Sequence, residues 1–141
     1  MPALKSKTLA AWTALTLGPL GVHRLYLHGA RDLLAWLHLP PTLAGMAGAW
    51  RMREFGQDDL AATWLVPLLG LMISQALFTA ILWGLTPDER WDARHNPGRR
   101  SRASGWGVVL AVILSLMVGG AVLMGTIAYS VQHYFEWQLR R

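Results

Sequence analysis

LAATWLVPLLGLMISQALFTAILWGL, residues Leu60 to Leu85, holds no ionisable side chain. About 20 apolar residues cross a hydrocarbon core of roughly 30 Å, and water-soluble domains rarely bury uncharged helices longer than that. Trp64 and Trp83 stand about 28 Å apart on a helix rising 1.5 Å per residue, so the two indoles read as markers of the two membrane interfaces. Pro67 falls in the first turns, where its missing N–H costs little. A second uncharged stretch runs from Ala103 to Gln132. Its helix is expected from about Trp106 to Tyr129, continuing into an amphipathic end at Tyr134-Phe135-Glu136-Trp137.

Composition points the same way. Hydrophobic residues make up 53% of the 141 positions and charged residues 15%, well under the roughly 25% of a typical soluble domain. The net charge of +5 comes from basic residues beside and between the apolar segments, where they hold orientation and touch anionic headgroups. No basic-aromatic surface module accompanies them, so nucleic acid is not an expected partner. The absence of cysteine excludes disulfides, zinc thiolates and thiol catalysis.

The N-terminal half is less regular. Lys5 and Lys7 precede an apolar run, Thr8 to Val22, in the manner of a secretory signal. No small-x-small cleavage site follows closely, so an uncleaved first membrane helix, Leu9 to about Leu27, is expected. Gly18-Pro19-Leu20-Gly21 should end or kink it. A second segment, Leu33 to Trp50, carries Pro40-Pro41 in its middle. A short interfacial piece over Leu33 to Leu39, then a helix starting at Pro41, accommodates both prolines. The whole reads as an all-α integral membrane protein with about four transmembrane helices, the second interrupted by proline. Residues 5–55 would form one hairpin and residues 56–141 an added helix pair joined by a basic loop over about 86–103.

That loop carries Arg90, Arg94, Arg99, Arg100 and Arg102, with a turn signal at Asn96-Pro97-Gly98 and a helix start at Pro87-Asp88-Glu89. With four spans the basic residues divide almost evenly. Lys5, Lys7, Arg51, Arg53, Arg140 and Arg141 fall on one side, and Arg24, Arg31 and the five loop arginines on the other. Orientation is then undecided. A re-entrant second segment would instead bring the long loop beside Lys5 and Lys7.

One cluster is more pointed than the rest: Gly18-Pro19-Leu20-Gly21-Val22-His23-Arg24-Leu25-Tyr26-Leu27-His28-Gly29. Glycine permits positive φ and close backbone approach. An arginine and a histidine directly after an apolar run are costly unless paired, hydrated or snorkelling. The cluster reads either as an interfacial turn, with Arg24 on lipid phosphates and Tyr26 as anchor, or as a ligand site with Arg24 as anion receptor. Together with Lys5-Ser6-Lys7, it resembles the TM-two domain family, a module of two transmembrane helices with a fingerprint near L-G-x-x-G-x-H-R-F-Y-L-G. Leu17, Gly18, Gly21, His23, Arg24, Tyr26 and Leu27 match in order and spacing. Leu25 replaces the phenylalanine, His28 stands where glycine is usual, and no aspartate follows Trp50. The resemblance covers about residues 5–55 and implies a membrane hairpin, with no catalytic activity.

Other chemistry is scarce. His23, His28 and His38 share no i,i+4 face, and no cysteine or carboxylate pair completes a metal set. Asp58-Asp59 and Asp88-Glu89 read as solvated helix-start charges, with Asp58 or Asp59 capping the helix from Leu60. No phosphate-cradling loop, nucleophile elbow or zinc-protease motif is present. No catalytic, cofactor-binding or metal residue is therefore expected. Gln75, with Ser74 and Thr79, should face other helices as packing glue. Ser115/Gly119 and Ala121/Gly125 are small-xxx-small pairs, suited to contact within the bundle or to a homo-oligomer or another membrane protein. The functional expectation is a non-catalytic scaffold, adaptor or regulatory membrane protein. The alternative is a subunit of a small transporter or channel.

Overall fold

Asp59 starts the central helix. Its carboxylate accepts from the Ala62 amide at 2.8 Å, satisfying one of the orphan donors of a first turn, and also receives the guanidinium of Arg51. The helix then runs Leu60–Leu85 and stops where Thr86 turns extended ahead of Pro87. The protein is seen as a computed structural model describing residues 3–140, and the described residues contain helices and no strand. Seven α-helices follow in order: α1 (Lys7–Leu17), α2 (Val22–His28), α3 (Leu33–Trp36), α4 (Leu39–Phe55), α5 (Leu60–Leu85), α6 (Asp88–His95) and α7 (Trp106–Leu139).

The glycine-proline cluster breaks the first segment as its chemistry requires. Gly18-Pro19-Leu20 forms a 3-10 turn, and Gly21 takes φ 77°, a left-handed conformation that side chains disfavour. The chain reverses there. At the far end of α2 the Tyr26 hydroxyl accepts from the Ser6 amide at 2.8 Å, so the α1–turn–α2 unit returns to the end where it began. Pro40 and Pro41 lie in the first turn of α4, where proline is tolerated, and the short α3 stands ahead of it.

Two of these helices, α5 and α7, are long and apolar enough to cross a membrane, with mean hydropathy of 2.1 and 2.6 over their best windows. The expectation of about four such helices is corrected accordingly. The first segment is two short helices that fold back on each other at Gly18–Gly21 rather than one rod, and α4 has only 17 residues, with Arg51 and Arg53 inside it. α5 forms the centre of the bundle, with α4, α1 and α7 packed around it. The buried positions of α1 (Ala10, Ala11, Ala14) and several on α5 (Ala62, Ala76, Ala80) are alanines, which let helix backbones approach closely. The residues on either side of Gly56 thus pack as one bundle.

The topology sorts polar residues to two ends. One end gathers the start of α1, the 24–32 turn, α6 and the segment leading into α7. The other gathers the α4–α5 turn and the end of α7, where Arg140 Nη2 lies 3.2 Å from Asp58 and His133 Nε2 meets the Gln57 carbonyl at 3.1 Å.

Candidate functional site

Lys5, Ser6 and Lys7 thread into the first polar end. The Lys5 amide donates to Asn96 Oδ1 (2.8 Å), and its carbonyl accepts from Trp91 Nε1 (2.8 Å) and Asn96 Nδ2 (3.1 Å). Its ammonium donates to the Tyr26 carbonyl at 2.6 Å and sits 4.9 Å from the Tyr26 ring centre. Lys7 is buried, and its ammonium lies 2.6 Å from Asp88 and 2.7 Å from the Thr86 carbonyl. Charge pairing and hydrogen bonding here replace water, as a buried ammonium requires.

Asp88 and Asp92 organise the loop around this strap. Asp88 accepts from Lys7 and from both the hydroxyl and the amide of Ser104. These contacts, Lys7 first, hold its carboxyl down at about 2. Asp92 accepts from Asn96 Nδ2 and the Ser101 amide, each at 2.8 Å, and these bonds hold it below the usual carboxylate range. Asp88 stands at a helix start, as expected, but its partly exposed carboxylate is paired with Lys7 rather than left to solvent. Trp91, fully buried, closes the assembly between Trp83 and His95. The sequence signal for this cap was composition alone: a loop mixing aspartates with serine, asparagine and tryptophan among the arginines.

The glycine-histidine motif lies just beneath. Gly18 is buried, and a Cβ there would stand 2.5 Å from that of Ala76 on α5. Gly21 abuts the backbone of Ala35. His23, only 1% exposed, packs its ring 5.3 Å from Trp83 and 5.4 Å, edge-on, from His38. His23 is enclosed because α2 folds back under the cap. Leu27 is half-buried near the end of α2.

Arg24 has a counter-ion within the chain. Its Nε donates to Asp32 Oδ2 at 2.8 Å, with His28 Nδ1 at 3.6 Å from the same oxygen. Burial works to raise the Asp32 carboxyl, but Arg24, the Leu34 amide and His28 outweigh it and hold it below its ordinary range. Asp32 caps α3 and closes the 29–32 turn, so Arg24 serves as a latch.

The residues expected to pack helices divide in two. Ser115 is fully buried, and Gly119 faces Leu77 on α5, where an added Cβ would lie 3.0 Å from the Leu77 Cβ. Ala121 and Gly125 point outward, and nothing stands within 4 Å of a Cβ at Gly125. They turn out because Val108, Ala111, Ser115, Gly119, Val122 and Thr126 already form the inward stripe of α7. Gln75 also departs from expectation. It is exposed on α5 and donates only to Thr79 of its own helix, at 3.3 Å.

A cleft of about 570 Å³ opens at the other polar end between α5 and α7, lined by Trp64, His133, Trp137 and Arg140 among others. It holds neither Arg24 nor Gln75. Among the described residues no three histidine, cysteine or acidic side chains gather to hold a metal ion. The arrangement at the first end straps, caps and pairs charge. Compared with known proteins, the chain matches no family model, no curated protein and no solved structure.

Proposed function

We propose that this is an integral membrane protein of the TM-two type, anchored by α5 and α7 and acting as a non-catalytic scaffold or adaptor. The observation that carries the membrane reading is the exposure of these two helices. Only 17% of each apolar window is buried inside the chain, whereas the core helix of a soluble protein is mostly buried. Exposed apolar area on that scale in water is an aggregation or interaction surface; in lipid it is ordinary. The α1–turn–α2 unit then dips into the bilayer from one face, and the short α3 with α4 carries the chain along α5 from the first end to the other. The contacts of Lys5 and Ser6 with Tyr26 support the TM-two reading, because they join the two separated stretches that carry the resemblance.

The distribution of basic residues between the two ends supports one orientation. Lys5, Lys7, Arg24, Arg31, Arg90, Arg94, Arg99, Arg100 and Arg102 gather at the first end, against Arg51, Arg53 and Arg140 among the described residues at the other. Cytoplasmic loops carry the excess of Lys and Arg, so the first end faces the cytoplasm, its exposed arginines against anionic headgroups. The chain has no native cysteine, so single cysteines report topology cleanly. In intact cells Gln57→Cys is expected to react with an impermeant maleimide, while Ala30→Cys and Gly98→Cys react only after permeabilisation. Release of the protein by alkaline carbonate would sink the membrane reading. Equal labelling of all three positions would sink the topology.

A further inference from the structure

Seven positions of α5 remain outside the bundle in one narrow line: Leu60, Trp64, Leu71, Gln75, Phe78, Leu82 and Leu85. From Leu71 onward they alternate by four and three residues, the spacing of a seam between two helices. The six apolar members are each more than half exposed. Lipid alone would cover them without cost. Gln75 is the exception, and it sits near the middle, about 16 Å along the axis from Trp64 and about 12 Å from Trp83.

A carboxamide has two donors and a carbonyl acceptor, and hydrocarbon satisfies none of them. Here one donor reaches Thr79 at 3.3 Å; among the described residues no other helix donates a hydrogen bond to the Gln75 side-chain oxygen. We propose that the α5 seam is the interface of a homodimer, with Gln75 of each copy hydrogen-bonded to Gln75 of the other. This rests on the membrane reading above. Its physical basis is symmetry. Copies inserted with one orientation can pair about a two-fold axis along the membrane normal, which sets α5 parallel to its counterpart with no axial shift. Each seam residue then meets itself. A single central glutamine finds a complementary donor and acceptor at the same depth, as a lone polar residue does in fixing the register of a coiled coil. An unrelated helix would need its own polar group at that depth. The α7 face bearing Ala121 and Gly125 offers no such unsatisfied group.

The test uses single-cysteine variants of the full chain, two differently tagged copies being co-expressed and oxidised in isolated membranes. Leu71→Cys and Phe78→Cys are expected to give disulfide-linked dimers carrying both tags. Met117→Cys and Met124→Cys, equally accessible on α7, should stay monomeric. Gln75→Leu should weaken dimerisation in bilayers by about 3- to 30-fold, the range for one or two interhelical hydrogen bonds, and Gln75→Asn by less. Carbonate extraction of the same membranes separates the two readings. Protein that stays in the membrane but shows no crosslink at 71 or 78 overturns the dimer and leaves the membrane reading standing. Crosslinks from these positions only to other chains also overturn it, and assign the seam to a different protein. Protein washed out by carbonate overturns the membrane reading itself.

Discussion

Gly45→Ala and Gly48→Ala are each expected to destabilise the folded protein by about 1–3 kcal/mol, while Gly125→Ala changes it by less than about 0.5 kcal/mol. The difference lies in what an added methyl meets. At Gly45 a Cβ would stand 2.5 Å from the Leu69 amide nitrogen and 2.7 Å from its Cα. At Gly48 it would run into the Cβ of Leu65 and the backbone joining it to Val66. Both obstacles include main chain of α5, which no rotamer change can clear, so α4 must move outward along its length. Dispersion contacts over the whole interface would weaken together. Gly125 has nothing within 4 Å. Thermal unfolding in detergent micelles, followed by protease cleavage in the α4–α5 turn, reads the difference. Equal stability of all three variants would show that α4 does not rest on α5 as described.

Asp88→Asn should destabilise the protein by about 1.5–3 kcal/mol, because it leaves the ammonium of Lys7 buried against the Thr86 carbonyl without a counter-charge. Partial exposure of Asp88 keeps the figure below that of a fully enclosed pair. The same contact has a pH signature. The Asp88 carboxyl is held at about 2, below its ordinary 3.8, so its contribution is complete above about pH 4 and is lost as pH falls through about 2. Acid titration of unfolding should therefore show a smaller loss of stability between pH 4 and pH 2 in Asp88→Asn than in the parent. Identical slopes would mean that the strap carries no charge-dependent stability. Lys7→Met, which removes the buried charge itself, should lose less than Asp88→Asn if the penalty is the orphaned ammonium.

Much of the secondary structure was legible in the chain. The bounds of α5, a helix start at Asp59, the break at Gly18-Pro19, a break just ahead of Pro40-Pro41 and the helix after Pro87 all follow from local rules about proline, caps and uncharged runs. The site was legible only as a set of residues. Gly18, Gly21, His23, Arg24 and Tyr26 stood out as a motif, but their partners did not, since Asp32, Trp83, Asp88 and Trp91 belong to other segments and no local periodicity links them. Taken segment by segment, the chain did not reveal the partners that Arg24 and Asp88 find within it. Each charge found its counter-ion within the chain, where pairing offsets the loss of hydration.

The sequence by itself determined most of the helical stretches and that those of α5 and α7 are apolar enough to cross a bilayer, because hydropathy and backbone sterics act within a few residues. That two such helices stand among the described residues, rather than about four, emerged only with the observed helix bounds. Only the tertiary structure decided that the first apolar segment turns back at Gly21, bringing Lys5 and Lys7 to the long loop and most of the basic residues to one end. It likewise decided that Ser115 and Gly119 face inward while Gln75 faces out. A helix presents every side chain somewhere, and periodicity names the faces without saying which one a neighbour will cover. That choice is made by close packing between helices distant in sequence, here through the glycines and alanines along α1, α4, α5 and α7.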